Sequence, residues 1–231
     1  MKSVRIAAIA AAAGLVLAGC GTGDAESTDS GDKLKVVTST NVYADLASQV
    51  AGDAADVEPI ISDASKDPHD YEATSNDQLK LSKADVVIVN GGGYDAFMTT
   101  LLEAADKDPK VVNGVEVSEL PGAEENSANE PHDHDHGEEG HDHEHGHDHG
   151  AFNEHIWYSV SAMKNVVDSI EETLSEEDPD NKAAYEENAD KLQGELDGLM
   201  KKADEVKKTG EGKKSAATEP VALWLFEDLG L

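Results

Sequence analysis

The amino-acid sequence predicts an α/β fold in two lobes with parallel sheets, joined by a long rigid helix, the second lobe incomplete in this chain. Three observations carry that expectation. Short β-branched runs alternate with helical periodicity over residues 33–120, and the run Val86-Val87-Ile88-Val89 is apolar throughout, as a strand covered on both faces must be. Tyr185, Ala189, Leu192, Leu196, Leu199, Ala203 and Val206 recur at alternating spacings of four and three, which marks one long helix with a single seam. Beyond a turn at 210–214 a strand-like segment and a helix start follow, and the sequence stops at Leu231.

The elements follow in order. Residues 34–40 form a strand, and Asn41 is placed to cap a helix carrying Val42, Leu46, Ala47 and Val50, which Gly52 ends. A second strand covers 56–61. The loop 62–71 then contains Asp67-Pro68-His69-Asp70-Tyr71. A short helix at 75–83 leads into a strand at 85–90, closed by Gly91-Gly92-Gly93. A helix at 94–105 and a strand at 110–117 complete the first lobe.

Residues 121–150 have almost no large apolar side chain and are expected to be a disordered insertion. Residues 151–208 follow as helices. The first carries the stripe Ile156, Val160, Met163, Val167, Ile170 and Leu174; Asp178-Pro179 then caps and opens the second. That long helix, about 45 Å at 1.5 Å per residue, reads as a coiled coil or as a strut between lobes. The surrounding α/β pattern favours the strut. Residues 209–231 are the expected start of a second lobe, with a strand at 215–219 and a helix at 221–229.

The N-terminus reads as a secretion signal over residues 1–19. Lys2 and Arg5 precede an apolar run of about a dozen residues, too short for the ~20 that a membrane span needs. It ends in Leu17-Ala18-Gly19-Cys20, which resembles the lipobox of bacterial lipoproteins, where the Cys thiol carries a lipid. An ordinary signal peptide with an incidental Cys is the blander reading. Cys20 is the sole cysteine, so a disulfide framework is excluded. Residues 20–32, rich in Gly, Ser, Thr, Asp and Glu, read as a flexible tether. The expected location is therefore extracytoplasmic, anchored to the membrane by lipid on Cys20.

Charge excludes one class of partner. With 18 Lys+Arg against 49 Asp+Glu, the formal net charge of −31 repels nucleic acid and favours cations. Solubility or adaptation to salt accounts for the acidity equally well.

Histidine placement points to metal. Eight of the ten histidines, His132, His134, His136, His141, His143, His145, His147 and His149, alternate mostly with Asp, Glu and Gly. Neutral imidazole is the commonest metal ligand among side chains, and carboxylates add attraction for a divalent cation. The tract reads as an acquisition loop holding Zn²⁺ weakly, as a sensor, or as an inert solvated insertion. His69 and His155 stand apart from it. His69 lies in the loop after a strand, at the sheet edge where such folds bind ligands. His155 stands in Asn153-Glu154-His155-Ile156-Trp157, at the mouth of a helix. Taken singly, each could be an ordinary polar loop residue.

The order of lipobox, acidic tether, strand–helix pairs, Asp-Pro-His-x-Tyr, Asn-Gly-Gly-Gly-Tyr-Asp, His-rich loop, Asn-Glu-His-Ile-Trp-Tyr and long helix resembles the solute-binding lipoproteins of zinc and manganese ABC transporters. The resemblance covers residues 15–231. It implies two Rossmann-like lobes joined by a rigid helix, metal in the cleft between them, a permease partner, a monomeric receptor and no catalysis. It makes His69 the first ligand and His155 the second. The third, often His in the family, falls on Glu219, which resembles the manganese-type members that pair two His with carboxylates, and a fourth acidic ligand would lie beyond Leu231.

Two imidazoles and a carboxylate suit four-coordinate Zn²⁺, and a further carboxylate would suit Mn²⁺. The histidine tract favours zinc. A zinc hydrolase could use two His and one Glu as well, but no His-Glu-x-x-His helix motif exists here. A surface adhesin is compatible with the resemblance, though no residue points to it.

Overall fold

The computed structural model describes residues 33–128, 152–210 and 212–231. The signal peptide, the tether, Cys20 and the eight tract histidines from His132 to His149 lie outside the described residues.

Four strands, β1 (Leu34–Thr40), β2 (Ala55–Ile61), β3 (Val86–Val89) and β4 (Lys110–Asn113), form one sheet in the order β2-β1-β3-β4. Every pairing is parallel; Val36 faces Val57 on one side and Val86 on the other. Strand order reverses between β1 and β3, so the loops after these strands diverge and leave a crevice at the carboxyl edge.

Side-chain alternation gives the sheet two apolar faces. Val36, Val86, Ile88 and Val112 pack against α1 (Asn41–Ala51), α6 (Val160–Glu177) and α7 (Lys182–Gly210). Their neighbours Val37, Val87 and Val89 pack on the other face against α2 (Ser75–Leu81) and α3 (Phe97–Glu103). The helices on both faces agree with the expected layering.

Several boundaries differ from expectation, each for a local reason. Thr40 rather than Asn41 is the N-cap of α1, and its side chain makes no capping bond. The helix expected from residue 94 begins at Phe97, because three consecutive glycines with φ of 80°, 64° and 80° bend the chain over 91–93. The strand expected over 110–117 ends at Asn113. Its side chain accepts a hydrogen bond from Glu116 N and caps a single helical turn, α4 (Gly114–Val117). The segment assigned to the insertion opens with another turn, α5 (Ala123–Asn126), and Ala123 is buried in the core.

Asp178 joins the two long helices. Its carboxylate accepts from Tyr185 Oη at 2.7 Å and Asn181 Nδ2 at 2.7 Å, with Pro179 opening a short 3-10 turn (Pro179–Asn181). The 29 residues of α7 bury Tyr185, Ala189, Leu192 and Leu196. Farther along the same seam Leu199 and Val206 are 47% and 45% exposed. Only the first half of the stripe is core.

Residues 215–219 form no strand, because an extended segment without a neighbouring edge has no ladder to join. Beyond them come a 3-10 turn (Pro220–Ala222) and α8 (Leu223–Asp228). Trp224 Nε1 donates to Asn153 O at 2.8 Å, and Asn153 Nδ2 donates to Pro220 O at 2.9 Å. These bonds hold the final segment against the turn that carries His155. Among the described residues no helix is long and apolar enough to cross a membrane.

Candidate metal centre

His69 and His155, 86 positions apart in sequence, come together at the carboxyl edge of the sheet with ring centroids 6.3 Å apart. Two imidazoles bound through nitrogen to one zinc at 2.0–2.1 Å place their ring centres roughly 5 Å apart, so a small closing movement suffices. As they stand, no group of three or more His, Cys, Asp or Glu among the described residues is arranged to hold a metal ion.

The two rings are fixed in the same way. Asp67 Oδ1 accepts from His69 N at 3.0 Å and contacts His69 Nδ1 at 2.9 Å. Asn153 Oδ1 accepts from His155 N at 3.2 Å and contacts His155 Nδ1 at 2.8 Å. A side-chain oxygen two residues upstream thus engages backbone and ring together. With Nδ1 occupied, Nε2 remains as the ligating nitrogen of each ring, and the orientation is set before metal arrives.

The surrounding loops explain why the rings meet. After β3, Asn90 N and Gly91 N donate to the buried Asp95 carboxylate at 2.6 and 3.1 Å, which closes the triple-glycine turn. A Cβ on Gly91 would lie 2.2 Å from Asn113 Oδ1, so any side chain there forces Asn113 to move. Tyr94 leaves this turn into the site, with ring centroids 5.0 Å from His69, 5.8 Å from His155 and 4.8 Å from Trp157. Asn90 Nδ2 donates to Glu154 O at 3.0 Å, and Tyr43 Oη donates to Asn90 Oδ1. One buried amide therefore ties the end of β3 to the His155 turn.

Glu154 completes the cluster. Its Oε1 lies 3.1 Å from His69 Nε2 and 3.8 Å from His155 Nδ1. The hydrogen bond to Glu154, aided by Asp67 and opposed by burial, raises His69 to about 9. His69 therefore carries a proton at neutral pH. Burial lowers His155 from its ordinary value, against the opposing charge of Glu154. Burial pushes Glu154 up, but the hydrogen bond with His69 outweighs it and holds the carboxyl below its ordinary value. Asp67 is likewise lowered, first through its bond to the His69 ring.

Glu219 is exposed at the N-cap of the 3-10 turn (Pro220–Ala222). Its charge reaches His155 and favours protonation there. The structure thus groups His69, His155 and Glu154 closely, with Glu219 at the margin. Sequence reasoning singled out both histidines but not Asp67, Asn153, Glu154 or Tyr94 as parts of the site, although each lies in the motifs that contain the histidines or in the glycine turn. The usable signal was the Asx residue two positions before each His.

Comparison with known proteins agrees with this architecture. The ZnuA family profile, described as zinc-uptake complex component A, periplasmic, matches residues 36–231. The metal ABC transporter substrate-binding lipoprotein SsaB of Streptococcus sanguinis is 31% identical over 89% of this chain and 61% of its own length. The manganese ABC transporter substrate-binding lipoprotein PsaA of Streptococcus pneumoniae is 30% identical over 86% of this chain and 59% of its own. The zinc-binding lipoprotein AdcA of the same species is 31% identical over 86% of this chain and 38% of its own. The chain therefore spans about three fifths or less of these relatives' lengths. The crystal structure of zinc-bound AdcA superposes with a TM-score of 0.66 at 26% identity, over 86% of this chain and 38% of that one. The lipoprotein YcdH of Bacillus subtilis shares the fold, with a TM-score of 0.68 at 24% identity over 86% of this chain and 65% of that one. Matched by that profile from β1 to its last residue, the chain belongs to the ZnuA family.

Proposed function

We propose that this chain is the extracytoplasmic solute-binding component of a metal ABC transporter, capturing Zn²⁺ at the sheet edge and delivering it to a permease. The observation that carries the reading is the meeting of His69 and His155, each held through Nδ1 by an upstream Asx oxygen. The two imidazoles bind the ion through Nε2, and Glu219 supplies a carboxylate from the final segment. A lipid on Cys20 keeps the receptor at the outer face of the cell membrane, where it acts as a monomer and catalyses no reaction.

Zinc is the favoured ion because the eight clustered histidines, from His132 to His149, form an imidazole-rich tract suited to it. The tract serves as an acquisition loop that raises the local Zn²⁺ concentration through several weak, equivalent His-x-His pairs. Manganese is the second reading, favoured by the oxygen-rich surroundings of the two rings and by relatives named for that metal.

Calorimetry and metal analysis test this directly. His69→Ala and His155→Ala are each expected to abolish tight Zn²⁺ binding, whereas deletion of residues 131–150 removes only weak additional equivalents. Loss of the tight site with the tract, and its persistence without His69, would reverse the ranking. Glu219→Ala with unchanged affinity would strike that residue from the ligand set. Mass spectrometry after exposure to Zn²⁺ and Mn²⁺ together identifies the retained ion.

A further inference from the structure

We infer that Glu154 is itself a metal donor, binding the ion beside His69 and His155 from the very turn that carries His155. The inference rests on the metal-receptor reading above and assigns a ligand that the sequence had not singled out.

The distances carry the argument. A four-coordinate zinc ion with bonds of 2.0–2.2 Å holds neighbouring donor atoms about 3.4 Å apart. Glu154 Oε1 and His69 Nε2 are 3.1 Å apart, already within about 0.3 Å of one edge of that polyhedron. The nitrogen concerned is the one that Asp67 leaves free for metal, since Asp67 engages Nδ1. A cation entering between Nε2 and Oε1 takes the place of the hydrogen they share, and neither atom has far to move. The same oxygen is 3.8 Å from His155 Nδ1, the nitrogen that Asn153 already engages, so Glu154 stands beside the second ring as well as against the first.

The position of Glu154 is not accidental to a mobile side chain. Its carbonyl accepts from Asn90 Nδ2 at 3.0 Å and from Ile156 N at 2.8 Å, which pins the backbone on both sides of the crevice. Its side chain is 17% exposed, against 61% for Asp67. Glu219 is exposed and belongs to a segment held through Pro220 and Trp224. Of the two glutamates, Glu154 is the one whose carboxylate already touches a ligating nitrogen. A hard oxygen donor between two imidazoles also broadens the site toward manganese.

The test uses the full chain with metal supplied below one equivalent and a competing chelator, so that the tight site alone is read. Glu154→Gln keeps the shape and removes the charge; it is expected to weaken Zn²⁺ binding at least about tenfold, since loss even of an outer-shell partner of a ligand costs about 10- to 100-fold. Glu154→Ala is the second variant, and circular dichroism of both metal-free variants verifies folding. With one equivalent of Co²⁺, wild type and Glu154→Gln are expected to differ in the position or intensity of their visible bands, because the donor set itself differs. Identical Co²⁺ spectra, or Zn²⁺ affinity unchanged or tighter in both variants, overturn the assignment. His69→Ala separates the two claims: if it retains full affinity the receptor reading fails, and if it loses affinity while both Glu154 variants keep it, only this inference fails.

Discussion

Asp67 holds His69 through a single carboxylate oxygen that contacts both the backbone nitrogen, at 3.0 Å, and ring Nδ1, at 2.9 Å. Asn153 does the same for His155, at 3.2 and 2.8 Å. These contacts lock each ring so that Nε2 points away from its own loop. Asp67→Ala and Asn153→Ala are therefore expected to weaken Zn²⁺ binding by roughly 10- to 100-fold. Neither substitution removes a donor, so the visible spectrum of the Co²⁺ form should keep its band positions at saturation. Chelator competition measures the first effect; unchanged affinity in both variants would mean the rings need no such orientation.

The triple-glycine turn makes a paired prediction about backbone strain. Gly91 has φ of 80° and Gly212 has φ of 78°, but among the described residues an added Cβ meets another atom at Gly91, Asn113 Oδ1 at 2.2 Å, and none at Gly212. Gly212→Ala should cost about 1 kcal/mol through the left-handed backbone alone. Gly91→Ala should cost clearly more, because Asn113 must also surrender its cap on α4. Denaturant midpoints compare the two; equal losses would show that the turn yields without disturbing Asn113.

Packing along α7 predicts a sharp contrast within one seam. Leu192 is 6% exposed and belongs to the core with Ile170 and Leu174, whereas Leu199 is 47% exposed. Leu192→Ala is expected to destabilise by about 2–5 kcal/mol, and Leu199→Ala by no more than about 0.5 kcal/mol. Urea unfolding of the two variants at equal concentration decides the matter. A large loss at Leu199 would mean that the second half of the seam is covered in solution.

Asp77 gives a pH prediction. Burial pushes its carboxyl up, but hydrogen bonds from Thr74 N at 2.8 Å, Thr74 Oγ1 at 2.7 Å and Tyr71 Oη at 2.9 Å outweigh this and leave it below its ordinary value. A carboxyl lowered in the folded state binds fewer protons there than in the unfolded chain. Its contribution to stability is thus complete above the unfolded value and fades as pH falls through the folded one. Asp77→Asn should lower the melting temperature at pH 7 and narrow the gap to wild type on acidification. A gap that is constant, or that widens toward acid, would contradict this sign.

The sequence bears on the site unevenly. Asp67-Pro68-His69 and Asn153-Glu154-His155 are local motifs, so the histidines could be singled out by their neighbours and by their distance from the His-rich tract. The bond between His69 and Glu154 could not, because it spans 85 positions and joins the loop after β2 to the turn that leads into α6. Residues 110–117 read as one strand because Val115 and Val117 suit a strand as well as a helix; the Asn113 cap decides for the helix. Residues 215–219 differ from expectation for the converse reason, since strand propensity has no effect without a partner.

What the sequence determined by itself is periodic and local: the apolar β3 run, the stripes of α6 and α7, the glycines after β3 and the two histidine motifs. These follow from short-range sterics and from the separation of apolar and polar faces, both of which repeat along the chain. Tertiary structure alone decided that the His69 and His155 rings meet, that Glu154 stands against His69, and that burial on α7 ends between Leu196 and Leu199. The first two outcomes depend on strand order, which brings β1 beside β3 and opens the crevice at their carboxyl ends. No residue's own propensity encodes that neighbourhood.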